Sequence, residues 1–223
     1  MSRTTWLIVA FFIVLAAVLI FSSGQDRPLE TTTRTDLPWL ITTHDDGSST
    51  VLDIHLGHTD LKGAVDKFGS PEGIALFAQG EKPGALEVYF GKVSFGPLTA
   101  KVVVNLAASD DEKIAMLERA VSRQGASGSD ARFTLSEEDQ QKAISRIVEA
   151  ITYIPSYGGL EADFFRERLG EPAAWKLEDE ERVLWFYPDR GVSLLLDADG
   201  KEVFQYDQPR NFVLPEGTET GKE

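Results

Sequence analysis

The sequence predicts an α+β fold: an antiparallel sheet with helices on one side, built as two helix–strand modules in tandem behind one N-terminal transmembrane helix. Three observations predict it. Within the first 24 residues, a mostly apolar run without charge begins at Thr4, directly after Arg3. Beyond it, apolar stripes at helical spacing are separated by β-branched and aromatic runs with a period near two. The pentapeptide KFGSP at residues 67–71 also returns as RLGEP at residues 168–172.

The elements follow in chain order. Arg3 precedes a run without charge from Thr4 to Gln25, of which residues 6–21 are unbroken apolar sequence. Residues 4–23 make a helix of roughly 30 Å, enough to cross the hydrocarbon of a bilayer. Trp6 suits the interface, where an amphipathic ring is well solvated on one side. A retained anchor over residues 1–24 is expected. A cleaved signal peptide is the alternative, since Ser22 and Gly24 are small residues two apart, but the apolar run is long for a signal and no Ala-x-Ala pattern flanks it. Arg3 and the α-amino group on one side balance Arg27 and Arg34 on the other. A short tail with one Arg before an apolar run is the form of an export signal, so the remainder is expected outside the cytoplasm, held single-pass in the inner membrane.

Residues 25–37 are polar and Thr-rich and read as a linker. In the first module, residues 38–108, strands are expected at 39–43 and 50–56 around an Asp46-Gly47 turn. A helix follows, capped by Thr59, with Leu61, Ala64, Val65 and Phe68 on one stripe. Gly69 stops it in a left-handed conformation and Pro71 prevents its resumption. Strands are expected at 85–95 and 99–106. Residues 109–156 read as a two-helix connection. Its first helix opens on the capping box Ser109-Asp-Asp-Glu112 and turns Ile114, Leu117 and Val121 inward. Its second opens near Thr134 to Ser136, with Ala143, Ile144, Ile147, Val148 and Ile151 inside. The second module, residues 157–208, repeats the plan: a helix ending in RLGEP, then strands in RVLWFYP, GVSLLLDA and KEVFQYD, with a turn at Asp199-Gly200. Residues 209–223 form a polar tail, disordered at its end.

The 22 basic against 36 acidic residues give a net charge of −14. Nucleic acid is therefore an improbable ligand, because its binding needs Lys and Arg to neutralise phosphates. No cysteine is present, which removes disulfides, thiolate metal sites and Cys nucleophiles.

Catalytic motifs are lacking. No G-x-S-x-G elbow occurs, and Gly57, Gly63 and Gly69 lie along a helix, not in a phosphate-binding strand–helix turn. The segment from Asp53 to Asp60 reads D-x-H-x-x-H-x-D, so His55, His58 and Asp60 are weak metal candidates. An odd separation on a strand argues against them, since it sends side chains to opposite faces. DADGKE, residues 197–202, is a hairpin turn before it is a calcium loop, for lack of further ligand spacing. No metal or other cofactor is expected. The aromatics Tyr89, Trp185 and Tyr187 fall in strands where outward-facing rings would make a binding patch on an open sheet face.

The repeated unit resembles a group of small envelope proteins that includes the lipoprotein subunit of the outer-membrane β-barrel assembly machine; the tandem-repeat β-lactamase inhibitor protein is similar. Their signature is Gly, a helix, Leu-Gly-x-Pro and a strand with Trp or Tyr. Residues 57–71 match its first half, with Phe68 in place of Leu. Gly159 through Leu169-Gly170-Glu171-Pro172, Trp185, Tyr187 and Asp199-Gly200-Lys201 match the second copy. Unlike those lipoproteins, this chain has no Cys to acylate. The resemblance implies a fold and a protein-binding habit. The function expected is a non-enzymatic, membrane-anchored module that binds an envelope or membrane protein. The alternatives are a hydrolase with a site between the modules and an acidic, divalent-cation-responsive domain.

Overall fold

Period-two alternation controls most of the chain, and the elements it produces are nearly all strands. The computed structural model describes residues 34–80, 82–125, 130–198 and 200–221. The expected membrane helix, most of the linker and half of the Asp199-Gly200 turn lie outside them. Among the described residues no helix is long and apolar enough to cross a membrane.

A small antiparallel sheet comes first: β1 (Ile41–Thr43), β2 (Ser49–Val51) and β3 (Ile54–His55), in that order. The turn at Asp46-Gly47 joins β1 to β2 as the sequence indicates, with Gly47 at φ 77°. The strand expected at 50–56 is instead folded back on itself. Leu52 and Asp53, at φ 52° and 61°, make a two-residue turn that pairs Thr50 with His55. Both central residues of such a turn need positive φ. Leu52 is fully buried in the hydrophobic core, which offsets a backbone conformation that its own side chain disfavours.

Helix α1 (Leu61–Phe68) buries Leu61, Ala64 and Phe68. Its cap is Asp60, which accepts from the Gly63 amide, and not Thr59, whose hydroxyl accepts from the His55 amide. Helix α4 (Ala162–Leu169) buries Phe165 and Leu169. The two stops are geometrically alike. Gly69 has φ 91° and ψ −171°, Gly170 φ 79° and ψ −174°. Each glycine amide donates to the carbonyl four residues back, Val65 or Arg166. The left-handed helical conformation expected for Gly69 is not what forms. With ψ near 180° the chain leaves extended, in a region open essentially only to glycine.

Each stop feeds a strand that the sequence reading passes over, β4 (Gly73–Gln79) or β10 (Ala174–Leu177). β4 is rich in small residues and β10 is short, so neither carries a strong β signal. After β4 come β5 (Lys82–Phe95) and β6 (Leu98–Leu106); after β10 come β11 (Arg182–Tyr187), β12 (Val192–Asp197) and β13 (Val203–Tyr206). The register matches as well. Glu72 donates to the Tyr89 carbonyl and Gly73 pairs with Tyr89, while Ala173 donates to the Phe186 carbonyl and Ala174 pairs with Phe186.

Between these groups, residues 109–156 hold both expected helices, but shorter, and three strands. α2 (Asp110–Glu118) carries the capping box, with Ser109 and Glu112 bonded reciprocally. It ends before Val121, which is 66% exposed, and buries Met116, leaving Ile114 outside. The chain then forms β7 (Ser122–Gln124) and β8 (Asp130–Thr134), a hairpin on the edge of the sheet. α3 (Glu137–Ala143) is capped by Ser136 and tied to α2's end by a two-bond pair from Arg119 to the buried Asp139. Val148 and Ile151 belong to β9 (Val148–Pro155), not to α3. VEAITYIP alternates and is β-branched, and the sheet between β6 and β13 supplies partners on both of its edges.

The large sheet runs β14-β10-β11-β12-β13-β9-β6-β5-β4-β8-β7, every pair antiparallel. β14 (Glu219–Thr220) lies in the tail expected to be disordered, and its pairing with β10 orders it. One face of this sheet meets helices α1–α4 of the described residues in a single core. Val88, Phe90, Val102, Val104, Tyr153, Trp185, Tyr187, Leu194 and Phe204 pack there with Phe68 of α1, Met116 of α2, Ala143 of α3 and Phe165 of α4.

Candidate functional site

The other face of the sheet is left by strict alternation. On β6, Ala100, Val102 and Val104 are buried while Thr99, Lys101 and Val103 point away; on β12, Ser193 and Leu195 do the same. Cross-strand register aligns these outward positions into two rows. The first runs Gly73, Tyr89, Val103, Thr152, Gln205, Ser193, Phe186, Ala174, across eight strands. Its centre is polar, with the Thr152 hydroxyl donating to Gln205 Oε1 at 2.5 Å. The second row has an aliphatic middle. Lys92 pairs with Lys101 and Lys101 with Ile154, while Val203 pairs with Leu195, Leu195 with Leu184 and Leu184 with Lys176. The register of β13 on β9 continues to bring Val203 opposite Ile154. Ile154, Val203, Leu195 and Leu184 are each half-buried, and none of them belongs to the helix-covered core.

Lysines bound that aliphatic band at both ends. Lys92 and Lys101 sit directly opposite one another and both are exposed. Like charges in that relation repel, by about 0.2–1 kcal/mol. At the β4 side the face dips into a shallow cavity of about 310 Å³ lined by Gly73, Phe77, Glu87, Tyr89, Val103 and Arg132. Burial raises the Glu87 carboxyl above its ordinary range.

Of the three aromatics expected to form a patch, only Tyr89 lies on this face. Trp185 is 0% exposed and Tyr187 5%, so both are core and are withdrawn from the site. Trp185 lies 4.5 Å beneath the Arg166 guanidinium of α4, and the Tyr187 hydroxyl donates to the Gly170 carbonyl. Their strand neighbours Leu184 and Phe186 point the other way, and Phe212 from the tail covers Phe186 at 6.4 Å between rings. The outward aliphatic band, missed in the sequence, was signalled there by the alternation of β9, β11, β12 and β13.

The weak metal candidates separate. Asp60 is engaged as the α1 cap. His55 and His58 come together, contrary to the strand argument, because β3 ends at His55 and the chain turns at Gly57, φ 81°. Their rings stack at 4.0 Å, and His44 lies 4.3 Å from His55. Asp46 joins them, with Oδ2 3.4 Å from His58 Nε2. Its Oδ1 accepts from the hydroxyl and amide of Ser48, which hold the carboxyl at about 2, below its ordinary range. His55 Nε2 is 2.7 Å from Ser48 Oγ, and burial and the neighbouring imidazoles lower its pKa. Comparison with protein-family models, with curated proteins and with solved structures finds no match for this chain.

Proposed function

We propose that this protein is a membrane-anchored, extracytoplasmic interaction module, and that the face of its large sheet opposite helices α1–α4 binds a protein. The observation that carries the reading is the aliphatic band Ile154, Val203, Leu195 and Leu184, which no helix among the described residues covers and which lysine closes at both ends. An open antiparallel sheet ordinarily puts polar residues on its solvent side, so a contiguous apolar band there marks a contact surface. The partner it suits presents an apolar ridge with carboxylates on either flank, which would also relieve the repulsion between Lys92 and Lys101. The N-terminal apolar run supports attachment to the inner membrane, with the domain outside the cytoplasm.

The tandem-module reading belongs to this proposal. Matched stops, matched register and the mirrored order β4-β5-β6-β9 and β13-β12-β11-β10 support two copies of one unit meeting at the β9·β13 pair. They support the resemblance to the small envelope proteins in the same measure. The hydrolase reading draws on the Ser48–His55 contact, but Ser48 is fully buried and its hydroxyl already bonds to Asp46, which leaves no path for a substrate to its oxygen.

The test is photocrosslinking in cells with a photoreactive residue at Leu195 and, as a control, at Trp185. Capture of one envelope protein from Leu195 only, abolished by Lys101→Glu, is the expected result. Equal capture from both positions, or none from Leu195 in a folded chain, would remove the open face as the binding surface.

A further inference from the structure

The histidine cluster lies apart from the open face, and nothing in the proposed function uses it. We infer that Asp46, His55 and His58 form a binding site for one divalent transition-metal cation of the zinc, nickel or copper class. Each residue offers a ligand atom, and the three atoms lie within 4.8 Å of one another. Ligands at about 2.0–2.2 Å from a zinc-like ion stand roughly 3.3 Å apart, so closure takes a movement of about an ångström or two. Asp46 and His58 have the freedom to make it, with side chains 44% and 48% exposed.

Hydrogen bonding orients the ligands. His58 Nδ1 faces the Leu56 carbonyl at 3.4 Å, a contact that calls for a proton on Nδ1. His58 Nε2 and Asp46 Oδ2 face one another at 3.4 Å, close to the separation of two ligand atoms on one such ion. Asp46 Oδ1 accepts both the hydroxyl and the amide of Ser48, so Oδ2 is the oxygen turned toward the imidazole. Such outer-shell bonds are what fix metal ligands in place. The unusual turn at Leu52 and Asp53 has a consequence here, since it brings His55 beside Ser48. Two imidazoles and one carboxylate favour borderline transition metals over calcium or magnesium, which prefer oxygen alone. Arg210, whose Nη1 stands 3.7 Å from Asp46 Oδ2, competes with the ion for the carboxylate.

The test uses the full, tag-free chain in detergent micelles, titrated with cobalt(II) as a visible-absorbance probe and then displaced by zinc. One equivalent is expected to bind. His58→Ala and Asp46→Asn should each weaken it at least tenfold, and Arg210→Gln should tighten it. His58→Ala decides the matter if Asp46→Asn unfolds the turn, because the exposed His58 ring can be removed with the circular dichroism spectrum unchanged. No saturable binding, or equal binding by wild type and His58→Ala, would overturn the site.

Discussion

At the scale of single residues, burial sorts the aromatics that the sequence leaves equivalent. Trp185→Ala empties a fully buried position between α4 and the sheet. It should cost about 3–5 kcal/mol in urea denaturation, the usual range for deleting a large core ring. Tyr187→Phe loses only the bond to the Gly170 carbonyl and should cost about 1 kcal/mol, with partner capture intact. Glu112 gives a pH prediction. Its carboxyl is held at about 2, against an ordinary 4.5, by Arg146 first and by the Ser109 amide. The unfolded chain therefore binds the extra proton between those values, so the stability Glu112 contributes is whole above about pH 4.5 and is lost as pH falls toward 2. The side chain is half exposed, so the contribution should not exceed about 1 kcal/mol. Glu112→Gln should flatten that acid limb in thermal melts. The Ser109–Glu112 pair was legible in the sequence because both partners lie in one turn. The side on which Trp185 falls depends on strand pairing and was not.

At the scale of elements, the glycine stops are the sharpest handle. A Cβ at Gly69 or Gly170 meets nothing within 4 Å, so substitution there measures backbone strain alone. Gly69→Ala and Gly170→Ala should each cost about 1–3 kcal/mol in denaturant melts, and by similar amounts, since their dihedral angles nearly coincide. Unequal losses of more than about 2 kcal/mol would argue against equivalent units. Helix ends were legible because caps and Gly-x-Pro stops are local. The lengths of α2 and α3 were not. Apolar residues spaced for a helix at Val121, Val148 and Ile151 went to loop or strand once the sheet offered its edges, a tertiary choice that overrides propensity. Setting residues 87–90, EVYF, beside residues 184–187, LWFY, contains the answer to the patch. Tyr89 corresponds to Phe186, not to Trp185 or Tyr187, as their pairing with Gly73 and Ala174 makes plain.

At the scale of the whole molecule, the sheet has one face in the core and one face open. Leu195→Glu, on a half-buried outward position, should lower stability by less than about 1 kcal/mol, yet abolish crosslinking to the partner or reduce it at least tenfold. A large stability loss would mean that Leu195 packs as core does. The sequence by itself determined the composition class, the N-terminal apolar run, the helix caps and stops and the alternation within each strand, because these depend on residues a few positions apart. Only the tertiary structure decided which face of the alternation is covered, that residues 148–155 complete the sheet, and that three histidines and Asp46 share one corner. Those outcomes depend on pairing between segments distant along the chain, where burial and hydrogen-bond register outweigh any local preference.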